Sequence, residues 1–209
     1  MKPCTAEEKK RTVLRAIVCG FLLAALASLL PFAASSEELP QHVVRLHVIA
    51  NSDSERDQAI KLKVRDAVLK KAEPWIRGAE TMEEANAALC VHLEALREAA
   101  NEALRQNGAL ETARVQVTDQ YFPTREYDAF SLPAGKYRTL LVTIGEGKGK
   151  NWWCVVFPAL CLPAAEEKPE DALSLLPESQ RELVKNPQKY KVKFKAVELY
   201  EELKKWLEL

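Results

Sequence analysis

Two stretches of this chain carry side chains whose types and spacing suit chemistry. In the first, Asn51, Asp53, Glu55 and Asp57 alternate as the oxygen ligands of a calcium loop do. Arg56 then stands where such a loop needs glycine, and Leu62 where it needs a bidentate glutamate. The residues fit a helix cap better, with Ser52 and Glu55 spaced as a capping box. In the second, Gly145-Glu146-Gly147-Lys148-Gly149-Lys150-Asn151 follows an apolar run and sets glycines beside lysine, as a phosphate cradle would. A P-loop needs glycine where Ile144 stands and a hydroxyl where Asn151 stands. Trp152 to Phe157 is strand-like, so no helix N-terminus follows to face a pyrophosphate. This loop is read as a connection.

The other chemistry-bearing residues are dispersed. His42 and His47 are an odd number apart and point to opposite faces of a strand, and His92 lies in an apolar stripe with no second ligand. Of five cysteines, Cys90 falls in an apolar helical pattern and is expected to be a buried, inert thiol. Cys154 and Cys161 suit a disulfide, which in an oxidising compartment contributes about 2–3 kcal/mol. No Cys-x-x-Cys or matching Cys/His spacing supports zinc. Asp53 and Asp57 are the best carboxylates for acid-base work, yet neither has an apolar setting that would raise its pKa. No catalytic, cofactor-binding or metal-binding residue is assigned, and the chain is read as a non-enzyme.

The elements that position these residues follow from periodicity. Val44, Leu46 and Val48 alternate with Arg45 and His47 in a strand over residues 42–50. A helix over about 54–71 turns Ile60, Val64, Ala67 and Val68 inward and Lys61, Lys63, Arg65 and Lys70 outward, until Pro74 ends or kinks it. Thr81 and Glu84 form a second capping box before a helical run from Ala85 to Leu104, stopped by Asn107-Gly108. Val115 and Val117 mark a strand, and Pro123 assigns the following extended piece to an edge. Leu140, Val142 and Ile144, the glycine loop, and Trp152 to Phe157 read as a hairpin. The expected fold is α+β: one mixed or antiparallel sheet of about five strands with two principal helices packed on one side.

At its ends the chain changes character. Residues 1–36 set a basic cluster before the apolar run from Ala16 to Leu30, then Pro31 and the small residues Ala33 to Ser36, the pattern of an export signal or an uncleaved membrane anchor. Overall, 30 basic residues balance 30 acidic ones, which leaves no basic excess for nucleic acid. Residues 42–161 form the folded body. Residues 162–188 are rich in proline and glutamate and read as a linker, and residues 189–209 as a lysine-alternating strand followed by an amphipathic helix.

Asn151-Trp152-Trp153-Cys154, Phe157-Pro158 and Cys161, with Val48-Ile49-Ala50-Asn51-Ser52-Asp53 and Lys63-Val64-Arg65-Asp66, resemble the stage II sporulation protein R family of endospore-forming bacteria. The likeness covers Val44 to Cys161. The resemblance implies a protein made in the forespore and exported to the space between the septal membranes. There it would activate a membrane-embedded aspartic protease of the mother cell, which cleaves the inactive precursor of a sigma factor. No family contact motif transfers. The candidate partner-binding residues are Asn51, Ser52, Asp53 and Asp57 at the helix corner, with Lys148, Lys150, Trp152 and Trp153 near the glycine loop. The competing readings are a secreted hydrolase, which lacks an assembled catalytic set, and a spore-envelope structural protein, which predicts repeats that are not visible.

Overall fold

The computed structural model describes residues 10–21, 23–24, 38–127, 130–160 and 173–185, with single positions 195, 198 and 206. A 3-10 turn, Leu39–His42, leads into β1 (Val44–Ile49), α1 (Glu55–Arg77), α2 (Met82–Val91) and α3 (Leu93–Gln106). Then come β2 (Ala113–Phe122), β3 (Arg125–Glu126), β4 (Ser131–Leu132), β5 (Gly135–Ile144), β6 (Asn151–Phe157) and α4 (Glu178–Lys185). The fold is α+β, with a four-stranded mixed sheet of order β2-β5-β1-β6 and a separate two-stranded sheet of β3 and β4.

Alternation along the strands decides which face is apolar. Val44, Leu46 and Val48 of β1 and Leu140, Val142 and Ile144 of β5 share the core with α1, α2 and α3. The parallel register sets Leu46 beside Leu140 and Val48 beside Val142. Each such side chain, removed from water, contributes about 1.5–3 kcal/mol. A second core lies on the other face, where Leu39, Val43, Phe122, Phe130, Leu132, Tyr137 and Val155 meet Leu173, Leu176 and Val184. The segment read as a linker therefore adds a two-turn helix and three buried apolar side chains to the domain.

The expected hairpin of β5 and β6 does not form. β1 lies between them, parallel to β5 and antiparallel to β6. The reason is geometric. Residues 145–150 must span two strand spacings, roughly 10 Å, whereas two to five residues suffice for a hairpin. Their backbone crosses the end of β1, the Lys148 N–H donating to the Asn51 carbonyl at 3.1 Å and the Gly149 N–H to the Ala50 carbonyl at 2.9 Å.

The helices also depart from expectation in detail. α1 continues through Pro74 to Arg77, because Ile76 is buried and Trp75 stacks on His92 at 3.9 Å between ring centroids. Its N-cap is Ser54, whose hydroxyl accepts from the Asp57 N–H, so the cap lies two residues beyond the Ser52/Glu55 pattern. Thr81 caps α2 as expected, accepting from the Glu84 N–H. The apolar run from Ala85 breaks at His92 into two helices. Cys90 is exposed on α2, a correction to the buried thiol expected there. Lys61, expected to face outward, is only 4% exposed.

Arg45 is the largest surprise of β1. Expected on a polar face, it is fully buried, with its guanidinium carbon 4.0 Å from the centre of the Phe122 ring and 5.0 Å from that of Tyr137. It donates to the Tyr127 hydroxyl at 2.6 Å, while its Nε and Nη1 have no acceptor. Burial pushes its pKa below the ordinary value.

Most of the terminal segments fall outside the described residues, including the proposed cleavage region and residues 189–194 of the expected strand, whose last residue, Lys195, is helical. Residues 10–21 are helical, with Val13, Leu14, Ile17 and Phe21 exposed. Among the described residues, no helix is long and apolar enough to cross a membrane.

The loop crossing leads to a stability prediction. A Cβ on Gly149 would stand 2.2 Å from the Ser52 carbonyl oxygen, whereas one on Gly78 would meet nothing closer than 3.7 Å. Gly149→Ala should destabilise the domain by about 1–3 kcal/mol or more, and Gly78→Ala should be neutral or slightly stabilising. Urea denaturation of the two variants checks this; equal midpoints would show that the loop does not press on the corner.

Candidate functional site

The candidate residues converge because β1 ends between two elements that both need its terminus. Asn51 bridges them. Its Oδ1 accepts from the Glu146 N–H at 3.1 Å, and its Nδ2 donates to Asp57 Oδ2 at 3.0 Å. The Ser52 hydroxyl donates to the same oxygen at 2.6 Å and accepts from the Ser54 N–H at 3.2 Å. Asp53 Oδ1 accepts from the Lys150 N–H at 2.7 Å. Gly145, at φ +54°, could carry no side chain, since a Cβ there would lie 2.3 Å from Asn51 Oδ1.

Residues not named as candidates complete this clamp. Gln58 Nε2 donates to the Ser52 carbonyl at 2.9 Å. Lys61 Nζ donates to Gln58 Oε1 at 2.7 Å and to the Lys150 carbonyl at 3.1 Å. Burial lowers the Lys61 pKa, and Asp53 opposes that shift. Arg56 reaches the Gly108 carbonyl at 2.5 Å and ties the corner to the end of α3. A polar residue one place after Ile60 in the helical stripe was the only sequence signal for Lys61.

The lysines and tryptophans divide around this clamp. Lys148 and Lys150 are exposed, and Lys148 pairs with Glu146 at 2.7 Å. Trp152 lies on the α1 side of the sheet, 37% exposed, with the Arg65 guanidinium 4.4 Å from its ring centre. Trp153 turns to the opposite face, among Phe122 and His47, and carries Arg125 at 3.9 Å. One compact corner thus holds Asn51, Ser52, Asp53, Asp57 and the loop, and the two tryptophans do not share a surface. Cys154 is buried in β6, while Cys161 lies outside the described residues.

Chemically, the corner suits holding shape. The Ser52 hydroxyl and the Asn51 amide lower the Asp57 pKa below the usual carboxylate range, so Asp57 stays ionised where a general acid must hold a proton. Among the described residues, no three His, Cys, Asp or Glu side chains converge on a metal position.

Fold and corner together define a mixed α+β domain presenting a rigid polar surface at one end of its sheet. The chain belongs to the stage II sporulation protein R family, whose model matches residues 40–167. It is 35% identical over 162 residues to stage II sporulation protein R of Bacillus subtilis strain 168, covering 73% of this chain and 71% of that one. No solved structure matches it.

The depressed Asp57 pKa sets a pH dependence. Its ionised form is favoured by folding, so its contribution is present above the unfolded carboxylate pKa and is lost as pH falls through the lower folded value. As pH falls below the ordinary carboxylate range, Asp57→Asn should flatten the decline in melting temperature relative to the parent. Parallel curves in that window would mean that Asp57 is not held ionised by the clamp.

Proposed function

We propose that this protein is an exported signalling protein of sporulation, which activates a membrane-embedded aspartic protease by contact and so triggers processing of a mother-cell sigma factor precursor. The observation that carries the reading is the family match over residues 40–167, a span that contains the whole clamped corner. Acid-base chemistry then belongs to the partner, and this chain supplies binding energy. Such a ligand shifts its partner only through differential affinity, so it must bind the cleavage-competent arrangement more tightly than the idle one. A clamp that holds Asn51, Ser52, Asp53 and Asp57 in one geometry supports this, because a pre-ordered surface loses little entropy on binding.

The route of delivery belongs to the same proposal. Residues 1–36 act as signal peptide or anchor, and the folded body works between the two membranes. The exposed apolar side chains from Val13 to Leu23 support that reading. So does Cys154, which carries no titratable thiol, while the free cysteines among the described residues are Cys19 and Cys90. We assign the Cys154 partner as Cys161. Non-reducing peptide mapping of the exported protein should recover these two cysteines in one linked peptide, and recovery of both as alkylated thiols would refute the pairing.

Co-expression with the protease and the sigma precursor in a non-sporulating host tests the activator role. Cleavage should require this chain and should be lost when residues 1–34 are deleted to retain it in the cytosol. Equal cleavage without the chain would remove the reading. Asp53→Ala that folds and activates normally would remove Asp53 from the contact.

A further inference from the structure

β2 is an edge strand of ten residues, paired with β5 from Ala113 against Ile144 to Phe122 against Gly135 without a register shift. The N–H and C=O of one residue in such a strand point to the same side, and neighbouring residues alternate. Two hydrogen-bond sets fix which residues point outward. The Thr112 carbonyl turns inward and accepts from the Gly145 N–H at 2.9 Å. Ala113 turns outward, its N–H donating to Asn101 Oδ1 at 2.8 Å and its carbonyl accepting from Asn101 Nδ2 at 3.4 Å. Asn101 thus fills the first place on the edge as a neighbouring strand would. By the same alternation Val115, Val117 and Asp119 point outward, and among the described residues no strand or side chain takes their main-chain groups.

Natural sheets blunt long edges with lysines, proline or a bulge. Within β2 there is no lysine, proline or bulge, and of its two charges Asp119 is paired with Arg138 at 3.2 Å. We propose that this edge is a docking site for an extended segment of another polypeptide, which adds as a further strand beside Val115, Val117 and Asp119. Flanking side chains define the segment. Val115 and Val117 pack partly against the helical core and favour apolar residues on that side. Arg114, exposed on the other face, favours an acidic one. A groove of about 1030 Å³ beside the start of the strand, lined by Arg97, Asn101, Leu110 and Arg114, admits its end. The segment therefore alternates apolar and acidic residues. A second copy fits poorly, since antiparallel pairing about Val117 sets each Val115 against the other copy's Asp119 carboxylate.

This proposal rests on the strand edge alone and stands apart from the protease reading, so the failure of one leaves the other intact. The probe is a short capped peptide alternating valine and glutamate, titrated into the isotopically labelled full chain. Saturable amide shifts and slowed hydrogen exchange should centre on Val115, Val117 and Asp119, and a peptide of equal composition with its valines and glutamates in separate blocks should produce neither. Val117→Pro removes an outward N–H that β5 does not use, so the melting temperature should hold while affinity falls about tenfold, and Val117→Thr should bind as the parent does. Unchanged exchange at the three amides under saturating peptide overturns the proposal, with no variant required. Undiminished affinity in a folded Val117→Pro also overturns it. So does a dimer of the free chain that Val117→Pro dissociates, which would make the second copy the occupant.

Discussion

β1 is shared. It is the strand on which β5 and β6 both depend, and because it lies between them their connection must pass over its end. The Asn51 bridge, the tight approach of Gly149 to Ser52 and the Lys150–Asp53 contact follow from that placement. In a β5–β6 hairpin the loop would close on itself and leave residues 51–57 as a free corner. Instead loop and corner satisfy each other's main-chain groups, so neither can move without giving up hydrogen bonds that each contribute about 0.5–1.5 kcal/mol.

The opposite face obeys a different constraint. Arg45 places a cation under a layer that offers it no carboxylate among its recorded partners, only aromatic faces and the Tyr127 hydroxyl. Burying an ion costs several kcal/mol, against which each desolvated ring face returns about 2 and the hydroxyl contact a similar amount. The balance is close, so Phe122, Tyr137 and Tyr127 are bound to their places by Arg45 as firmly as by apolar contact. Removing any one of them leaves the charge less compensated. The second layer is thus specified in position by a group whose own burial is unfavourable.

How far the sequence carried this picture depended on the range of the interaction. Period-two alternation located β1, β2 and β5, a β-branched and aromatic run located β6, and both capping boxes announced helices, because those signals are written in neighbouring residues. The strand order was not, since β1 and β5 lie far apart in sequence and nothing local states that they pair. The six-residue loop was the available clue, being long for a hairpin. Arg45 was placed only on the face opposite Val44, Leu46 and Val48, because alternation marks two faces without saying that both are covered, and the covering residues Leu173, Leu176 and Val184 lie in a stretch whose prolines suggested a linker. At the corner, Asn51, Ser52, Asp53 and Asp57 were identified by type, while Lys61 and Gln58 were hidden on a helix face that looked ordinary.

The register places the polar corner and the open edge at a common end of the sheet. Ile49 closes β1 beside Thr143 of β5 and Asn151 of β6, and Ala113 opens β2 beside Ile144. Glu111 approaches the glycine loop just before β2 begins, and Arg56 binds the corner to the turn at Gly108. A polypeptide engaging the corner, as proposed above, would be led toward the start of β2, where Asn101 occupies the first edge position and, among the described residues, the main chain of Val115, Val117 and Asp119 is open. In such a complex, side chains at the corner would distinguish one partner from another, and the main-chain edge would add affinity with little regard to sequence. Under that proposal, splitting recognition in this way would let a contact signal be selective without a deep pocket, in a domain whose corner side chains already hold each other in place.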